Sequence, residues 1–212
     1  MKTRRTQDAE RSRIVCGVGV NDADYAVIRQ ETINGNRQVT ECPFYRAWKN
    51  MLNRCYSKRP GKHRVNYAGC SVCPEWRKFS AFREWMSAQD WQGKDLDKDI
   101  LFEGNRVYSP NTCIFVSPQL NKFLTHSSKK SRRFPVGVSW NSWRGKFHAY
   151  CNNPFTEKPD FLGWFTSAEE AHEAWRRRKN ELACRYADIE PDARLAAALR
   201  SRFSGRSIQE AA

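Results

Sequence analysis

Apolar residues recur at two spacings along this chain, and each spacing predicts a different kind of element. Residues 43–59 repeat them every three or four positions, which is the spacing of one helix face, and Pro43 suits the first turn of a helix. A second helical pattern begins at Pro74. The inner faces of these two helices are predicted to form a core from Phe44, Trp48, Met51, Leu52, Cys55, Trp76, Phe79, Phe82 and Met86.

Shorter runs rich in β-branched and aromatic residues predict strands. Between two such runs in residues 14–41 lies the pair Asn34-Gly35, which is typical of a tight hairpin turn. Residues 134–165 contain three further runs, FPVGVSW, GKFHAYC and DFLGWF. After them Ser167, with a Glu three residues later as in a capping box, predicts the start of a helix that would cover their sheet.

Residues 95–124 predict a strand, a loop, a strand and a helix in succession. The extended runs lie at 96–101 and 113–116, and Ser117 offers an N-cap with Pro118 at the first helical position. We therefore predict an α+β fold. An N-terminal hairpin and helices would pack on this unit, and a small three-stranded antiparallel sheet with one helix would follow it.

Composition divides the sequence into five segments. Polar and charged residues predominate in a tail at 1–13 and in a basic linker at 125–133. The predicted folded domains lie at 14–124 and 134–187, and a C-terminal helix with a tail occupies 188–212.

The succession of elements in residues 95–124 resembles the ββα-metal core of the HNH endonucleases, in particular the bacteriophage homing-type members. Asp97 stands where that family has its first metal ligand, Gly104-Asn105 matches its G-N turn, and Asn121 falls on its last metal ligand. The resemblance implies that Asp97 and Asn121 hold a divalent ion such as Mg²⁺ or Mn²⁺, which would stabilise charge on the leaving oxygen of a DNA phosphodiester.

Two positions depart from that family pattern. Lys98 stands where the general-base His belongs, and Thr112 replaces the central Asn. A general base must accept a proton from water, whereas a lysine between Asp97 and Asp99 is protonated at neutral pH. As a third candidate catalytic residue, Lys98 could instead clamp a phosphate. Cleavage therefore stays an open alternative, and a half-buried strand with solvated charges is another.

The C-terminal pattern resembles the APETALA-type DNA-binding domain, which also occurs fused to phage HNH nucleases. The similarity rests on G-V-x-W, G-K-F-x-A and L-G-x-F before a helix rich in E-E-A, within residues 134–187. In that family the sheet enters the major groove. The resemblance implies that the DNA-binding residues of this domain are Trp140, Trp143, Arg144, Lys146, His148 and Tyr150. The basic linker before it lies between two candidate DNA-binding units, and its charges add Lys129, Lys130, Arg132 and Arg133 as predicted phosphate contacts.

Alternation along the middle strand of this sheet predicts which of its side chains face the helix and which face outward. If Phe147, Ala149 and Cys151 face the helix, the intervening Lys146, His148 and Tyr150 face outward. Arg144 in the preceding turn is the candidate for guanine recognition. Trp140 fits either the core or a contact with a sugar, and the basic run 176–179 fits a solvated helix face.

Charge and hydropathy narrow the class of partner. The chain has 37 Lys and Arg against 23 Asp and Glu, a net charge of +14, which favours a polyanion, double-stranded DNA first. No run approaches the roughly eighteen apolar residues of a membrane span, and the N-terminus lacks the apolar stretch of a secretory signal. We expect a cytoplasmic protein of a bacterial host cell, monomeric, with a protein partner as a lesser alternative.

The eight cysteines are expected to be reduced thiols in the cytosol. Cys70 and Cys73 have the C-x-x-C spacing of a zinc knuckle, and Cys55 with Cys113 would complete a set of four ligands. Buried free thiols are the alternative to this zinc site. The four histidines have no spacing typical of a catalytic triad or a metal site.

These patterns favour a two-module DNA-binding protein of the phage HNH homing-endonuclease type. If its nuclease-like core is active, the product is a metal-dependent nick or break. The alternative is a non-catalytic regulator or accessory factor on the same scaffold, and a third hypothesis is an inhibitor that binds an acidic host protein.

Overall fold

The computed structural model describes residues 13–57, 67–125 and 133–204, and it confirms a mixed α+β fold. The chain divides into two compact units, with the boundary between Val116 and Ser117. Each unit has its own helices and strands and is described by itself. Among the described residues, no helix is both long enough and apolar enough to span a membrane.

The first unit begins with two antiparallel β-hairpins. Strands β1 (Ile14–Val15) and β2 (Gly19–Val20) form the first, and β3 (Ile28–Ile33) and β4 (Asn36–Glu41) form the second. Asn34 and Gly35 have φ values of 52° and 75°, so both turn residues are left-handed, as a two-residue type I′ turn requires. The predicted hairpin is confirmed.

Two helices supply most of the core of the first unit. Helix α1 (Pro43–Tyr56) starts at the predicted proline, and helix α2 (Phe79–Ser87) follows a 3₁₀ turn at Glu75–Arg77. The Trp48 indole donates a hydrogen bond to the carbonyl of Trp76 at 2.7 Å, so the buried ring has a partner for its one polar atom. The fully buried large side chains include Trp48, Met51, Leu52, Val72, Trp76, Phe79, Phe82, Met86 and Tyr108.

Four short strands complete the first unit. Strands β5 (Ser71–Val72) and β7 (Val107–Tyr108) pair in parallel, while β6 (Asp95–Asp97) and β8 (Ile114–Val116) pair antiparallel. The predicted strand at 96–101 is shorter than expected because the Asp97 carboxylate accepts the backbone N–H groups of residues 99 and 100, both at 2.8 Å. These bonds turn the chain.

The described part of the second unit contains three helices and one sheet. Helix α3 (Pro118–Leu124) is capped by Ser117, as predicted, whose hydroxyl accepts the N–H of Leu120 at 3.1 Å. The remaining elements are β9 (Val138–Asn141), β10 (Lys146–Asn153), β11 (Lys158–Phe165), α4 (Ala168–Ile189) and α5 (Ala193–Arg202).

The sheet of the second unit is antiparallel, with β10 between β11 and β9. Helix α4 packs on one face, where Ala149 and Cys151 of β10 are fully buried together with Ala171 of α4. Ser167 caps α4 by accepting the N–H of Glu170 at 3.1 Å, whereas the Glu170 carboxylate accepts from Thr166 rather than closing a complete capping box. Among the described residues of this unit, no helix packs on the other face of the sheet.

Candidate nucleic-acid interface

The exposed face of the sheet begins with alternate residues of β10. Because Ala149 and Cys151 point toward α4, Tyr150 between them points away, and 45% of its surface is exposed. Lys146 is exposed and His148 half-buried at the neighbouring alternate positions. The predicted orientation of this strand is confirmed by the burial pattern.

Strand β11 adds two aromatic residues that the sequence pattern did not reveal. Phe161 lies opposite Tyr150 and Trp164 lies opposite His148, with 49% and 37% of their surfaces exposed. Simple alternation cannot put residues three apart on one face. The register shifts between Ala149 and Tyr150, and this β-bulge brings both rings to the outer face.

These four rings form one continuous cluster. The ring centroids of His148 and Trp164 are 5.2 Å apart, those of Tyr150 and Phe161 are 5.2 Å apart, and those of Phe161 and Trp164 are 5.7 Å apart. Among the described residues the buried Nδ1 atom of His148 has no hydrogen-bond partner, and its ring packs edge-on against Tyr150 and Trp164. An exposed aromatic surface of this extent on a small domain is typical of a binding site.

Arg144 places a cation on the same cluster. Its backbone N–H donates to the Asn141 side chain at 2.8 Å, which orders the turn between β9 and β10. Its guanidinium carbon lies 4.9 Å from the centroid of Trp164 and 6.0 Å from that of Trp143, in cation–π range of both rings. Trp143 itself is 89% exposed. An arginine held over an aromatic ring has lost part of its freedom before it meets a ligand.

The charges of the sheet favour an anionic ligand. Strands β9, β10 and β11, all within the described residues, contain one acidic residue, Asp160. Asp160 lies opposite Cys151 on the helix side, where Arg178 donates to its carboxylate at 2.9 Å. The outer face therefore has Arg144 and Lys146 with no carboxylate on the strands to offset them.

Other predicted DNA-binding residues take different positions. Trp140 pairs with Phe147 and their ring centroids are 4.7 Å apart, which puts Trp140 on the helix side of the sheet, although 42% of it is exposed. The guanidinium carbon of Arg133 lies 5.3 Å from the Phe134 ring centroid. The predicted linker contacts Lys129, Lys130 and Arg132 lie outside the described residues.

In the first unit, Asp97 and Lys98 are tied into the turn after β6. Burial raises the pKa of the Asp97 carboxyl, and the neighbouring Asp99 adds to this effect. Lys98 is only 7% exposed, and its ammonium donates to the Asp99 carboxylate at 3.1 Å and to the carbonyl of Asn105 at 3.0 Å. The ion pair with Asp99 and the hydrogen bond to Asn105 hold the Lys98 ammonium against the turn.

The Gly104-Asn105 pair closes the same turn. Gly104 has a φ of 78°, and the Asn105 amide donates to the carbonyls of Lys98 at 2.6 Å and Val107 at 2.8 Å. Asn121 lies in α3 and so belongs to the second unit, where its carbonyl accepts the hydroxyl of Thr125 at 2.8 Å.

A structural metal site needs several ligand side chains around one point. In the described parts of the chain, no three His, Cys, Asp or Glu side chains are grouped as ligands of one ion. Cys55, Cys70, Cys73 and Cys113 are thus not assembled as the four-cysteine zinc set that the C-x-x-C spacing suggested. Burial raises the pKa of Cys55 and of Cys113 to about 12, as expected for protonated structural thiols.

Comparisons with protein-family models, with curated proteins and with solved structures found no match to this chain. What the exposed sheet face can bind therefore follows from its own side chains and charges.

Proposed function

We propose that this protein binds double-stranded DNA through the exposed face of its three-stranded sheet, in the cytoplasm of a bacterial host cell. The observation that supports the proposal is the arginine at the edge of an exposed aromatic cluster, on strands whose one carboxylate faces the other way. The resemblance to the APETALA-type domain also points to Arg144 and to the outward residues of β10.

In this proposal the hairpin of β9 and β10 enters the major groove. That groove is about 12 Å wide and admits a two-stranded β-ribbon, and the hairpin of β9 and β10 presents Arg144 at its turn. A guanidinium can pair with the O6 and N7 acceptors of guanine through two parallel hydrogen bonds. Lys146 would contact phosphate, and the exposed Trp143 and Tyr150 would pack on sugars or on thymine methyl groups.

Substitution of Arg144 tests this surface. We expect Arg144→Ala to weaken binding to a duplex selected from a randomised pool by at least about tenfold, roughly 1.4 kcal/mol, because a bidentate base contact is lost. Binding to a random duplex should weaken less. Fluorescence anisotropy of labelled duplexes at one fixed salt concentration measures both affinities.

The matched control is Arg177→Ala. Arg177 is exposed on α4, the helix that covers the opposite face of the sheet, and its loss changes the net charge by the same amount. Equal weakening by both variants would show that only total charge matters. No effect of Arg144→Ala on the selected duplex would remove this turn from the interface.

A metal-dependent nicking endonuclease is the second candidate function. It is favoured by the order of elements, since the antiparallel pair β6 and β8 is followed along the chain by α3, with Asp97 at the end of β6. In this proposal Asp97 supplies a carboxylate for Mg²⁺ or Mn²⁺. Lys98 does not act as the base in it, because its ammonium is buried against Asp99 and Asn105.

The Asp97→Asn variant tests nicking with little change to the turn. It removes the carboxylate charge but keeps an oxygen that can accept the two N–H groups of the turn. If the core is active, we expect the unaltered protein to nick supercoiled plasmid with Mn²⁺ and Asp97→Asn to lose at least about 100-fold of that rate. Asn121→Ala in the same assay tests the helix residue.

Equal cutting by the unaltered protein and Asp97→Asn would exclude Asp97 from the reaction. Tight binding without any nicking, with either metal, would assign the protein to the non-catalytic alternative.

A further inference from the structure

A groove in the first unit has a cationic lining that the proposed function does not use. It encloses about 270 Å³ beside α1 and next to β6. The residues that matter for its chemistry are Arg46, Asn50, Arg54, Trp91, Lys94 and Asp95.

The polar side of the groove follows directly from the sequence of α1. Arg46, Asn50 and Arg54 are four residues apart, so they form one stripe along the helix with about 6 Å between successive Cα positions. The core residues Trp48 and Leu52 lie on another side of the helix. The stripe thus places two guanidinium groups and an amide along one line.

The stripe combines a fixed cation with adaptable groups. Arg54 is half-buried: its guanidinium donates to the carbonyl of Leu96 at 3.4 Å and lies 5.7 Å from the Tyr67 ring centroid. Arg46 and Asn50 are exposed. Two of the three positions can therefore adjust to a ligand without a change in the core.

The opposite wall adds a third cation and an aromatic ring. Lys94 is half-buried and pairs with Asp90 at 2.6 Å. Trp91 packs on Phe44 with ring centroids 5.0 Å apart and is half-buried, so part of the indole is open to the groove. Asp95 is the one carboxylate of the lining, against Arg46, Arg54 and Lys94. The described lining residues carry a net charge of two, and the Asp90 carboxylate that pairs with Lys94 reduces the net positive charge of the groove to one.

We infer that this groove is a second DNA contact, which takes the phosphodiester backbone of the duplex. Guanidinium groups bind phosphate oxygens through paired hydrogen bonds, Asn50 can donate a further one, and an indole face packs on a sugar. Backbone contacts fix position without reading sequence, so the groove adds affinity that depends on salt. The inference rests on the proposed function for the identity of the polymer, but it uses residues of the other unit.

The test is the salt dependence of DNA affinity for Arg46→Gln/Lys94→Gln. Each phosphate contact contributes about 0.9 to the slope of log K against log salt concentration, so the double variant should lower that slope by about two units and weaken binding to all duplexes alike. The control is Arg77→Gln/Arg83→Gln, two exposed cations of the first unit that do not line the groove. The slope of this control should change by less than one unit.

Each outcome decides between the proposals. A slope that falls in the groove variant alone supports the inference, whereas equal slopes in the groove variant and its control overturn it. If Arg144→Ala weakens binding while the groove variant matches its control, only the groove is refuted. If the unaltered protein does not bind duplex DNA at all, both the groove and the proposed function fail. Circular dichroism of each variant checks that the substitutions leave the fold intact.

Discussion

Replacement of Gly137 by alanine is expected to destabilise the second unit by about 3 kcal/mol or more. Gly137 has a φ of 83°, where an L-residue costs about 1–2 kcal/mol. A Cβ at this position would lie 2.1 Å from Cδ1 and 2.4 Å from Cγ of Trp175, so the buried indole would have to move. Overpacking of this kind typically costs about 1–3 kcal/mol more.

The expected loss extends to binding, because Gly137 precedes β9 and its carbonyl accepts the N–H of Tyr150 at 3.0 Å. A shift of Trp175 and of this bond would disturb β9 and β10, whose hairpin presents Arg144. Hydrogen exchange of peptides from α4 and β10, followed by mass spectrometry, measures the change in opening free energy within the intact chain.

Gly145→Ala is the matched control for this steric effect. Gly145 also has a positive φ, 59°, but a Cβ there would meet nothing within 4 Å. Its substitution should cost only the backbone strain, about 1–2 kcal/mol. Similar losses in the two variants would mean that the contact with Trp175 is not the source of the destabilisation.

The sequence predicted those elements whose pattern is local. The start of α1 at Pro43, the cap of α3 at Ser117 and the Asn34-Gly35 turn each depend on a few adjacent residues, and all three are confirmed. Alternation along β10 is equally local, so the outward positions of Lys146, His148 and Tyr150 could be predicted from the sequence of that strand.

The missed residues depend on interactions between strands or on tertiary burial. Phe161 and Trp164 share a face only because a bulge shifts the register against β10, and no periodicity within β11 shows this. Lys98 was predicted from its neighbours to be a solvated or phosphate-binding lysine, yet it is buried by the turn that closes over it through Asn105. Burial of a charged side chain by hydrogen bonds within a turn does not alter the hydrophobic pattern of the sequence, so the sequence does not reveal it.

Tertiary burial also changes the interpretation of the basic run at 176–179, for which the sequence predicts a solvated helix face. Its last residue, Lys179, is only 5% exposed, because it lies one turn after Trp175 and one turn before Ala183 on the buried stripe of α4. Its ammonium donates to the carbonyl of Phe123 at 2.5 Å, near the end of α3, and lies 3.5 Å from the centroid of that ring.

This burial should make the stability of the second unit depend on pH through Lys179. Burial lowers the pKa of Lys179 to about 8, whereas a lysine in the unfolded chain titrates near about 10.4. Between these values the unfolded state binds a proton that the folded state does not, so the contribution of Lys179 to stability rises with pH across this window. Well below pH 8 the lysine is protonated in both states, and the folded state carries the whole free-energy cost of burying its charge.

Lys179→Met isolates the effect. The free energy of unfolding of Lys179→Met minus that of the unaltered protein should be about 3 kcal/mol larger at pH 7 than at pH 10.5. The reason is that methionine has no charge to bury at either pH, whereas the buried lysine is charged at pH 7. Burial also raises the pKa of Tyr186, which is present in both proteins and cancels in the difference. Burial raises the pKa of Cys151 as well, and the Lys179 ammonium lowers it, so the loss of this ammonium in the variant moves the thiol pKa further up. Hydrogen exchange of α4 peptides, corrected for intrinsic rates, gives the free energies.

Lys122→Met is the control, because Lys122 is exposed on α3 and water solvates its charge in the folded state. The stability of the Lys122→Met variant relative to the unaltered protein should therefore be the same at pH 7 and at pH 10.5. A constant difference for Lys179→Met as well would mean that the ring of Phe123 and its carbonyl fully replace the water that the ammonium loses. Burial in this helix would then leave the lysine charged at no cost, and the pH dependence of the unit would have to come from other groups.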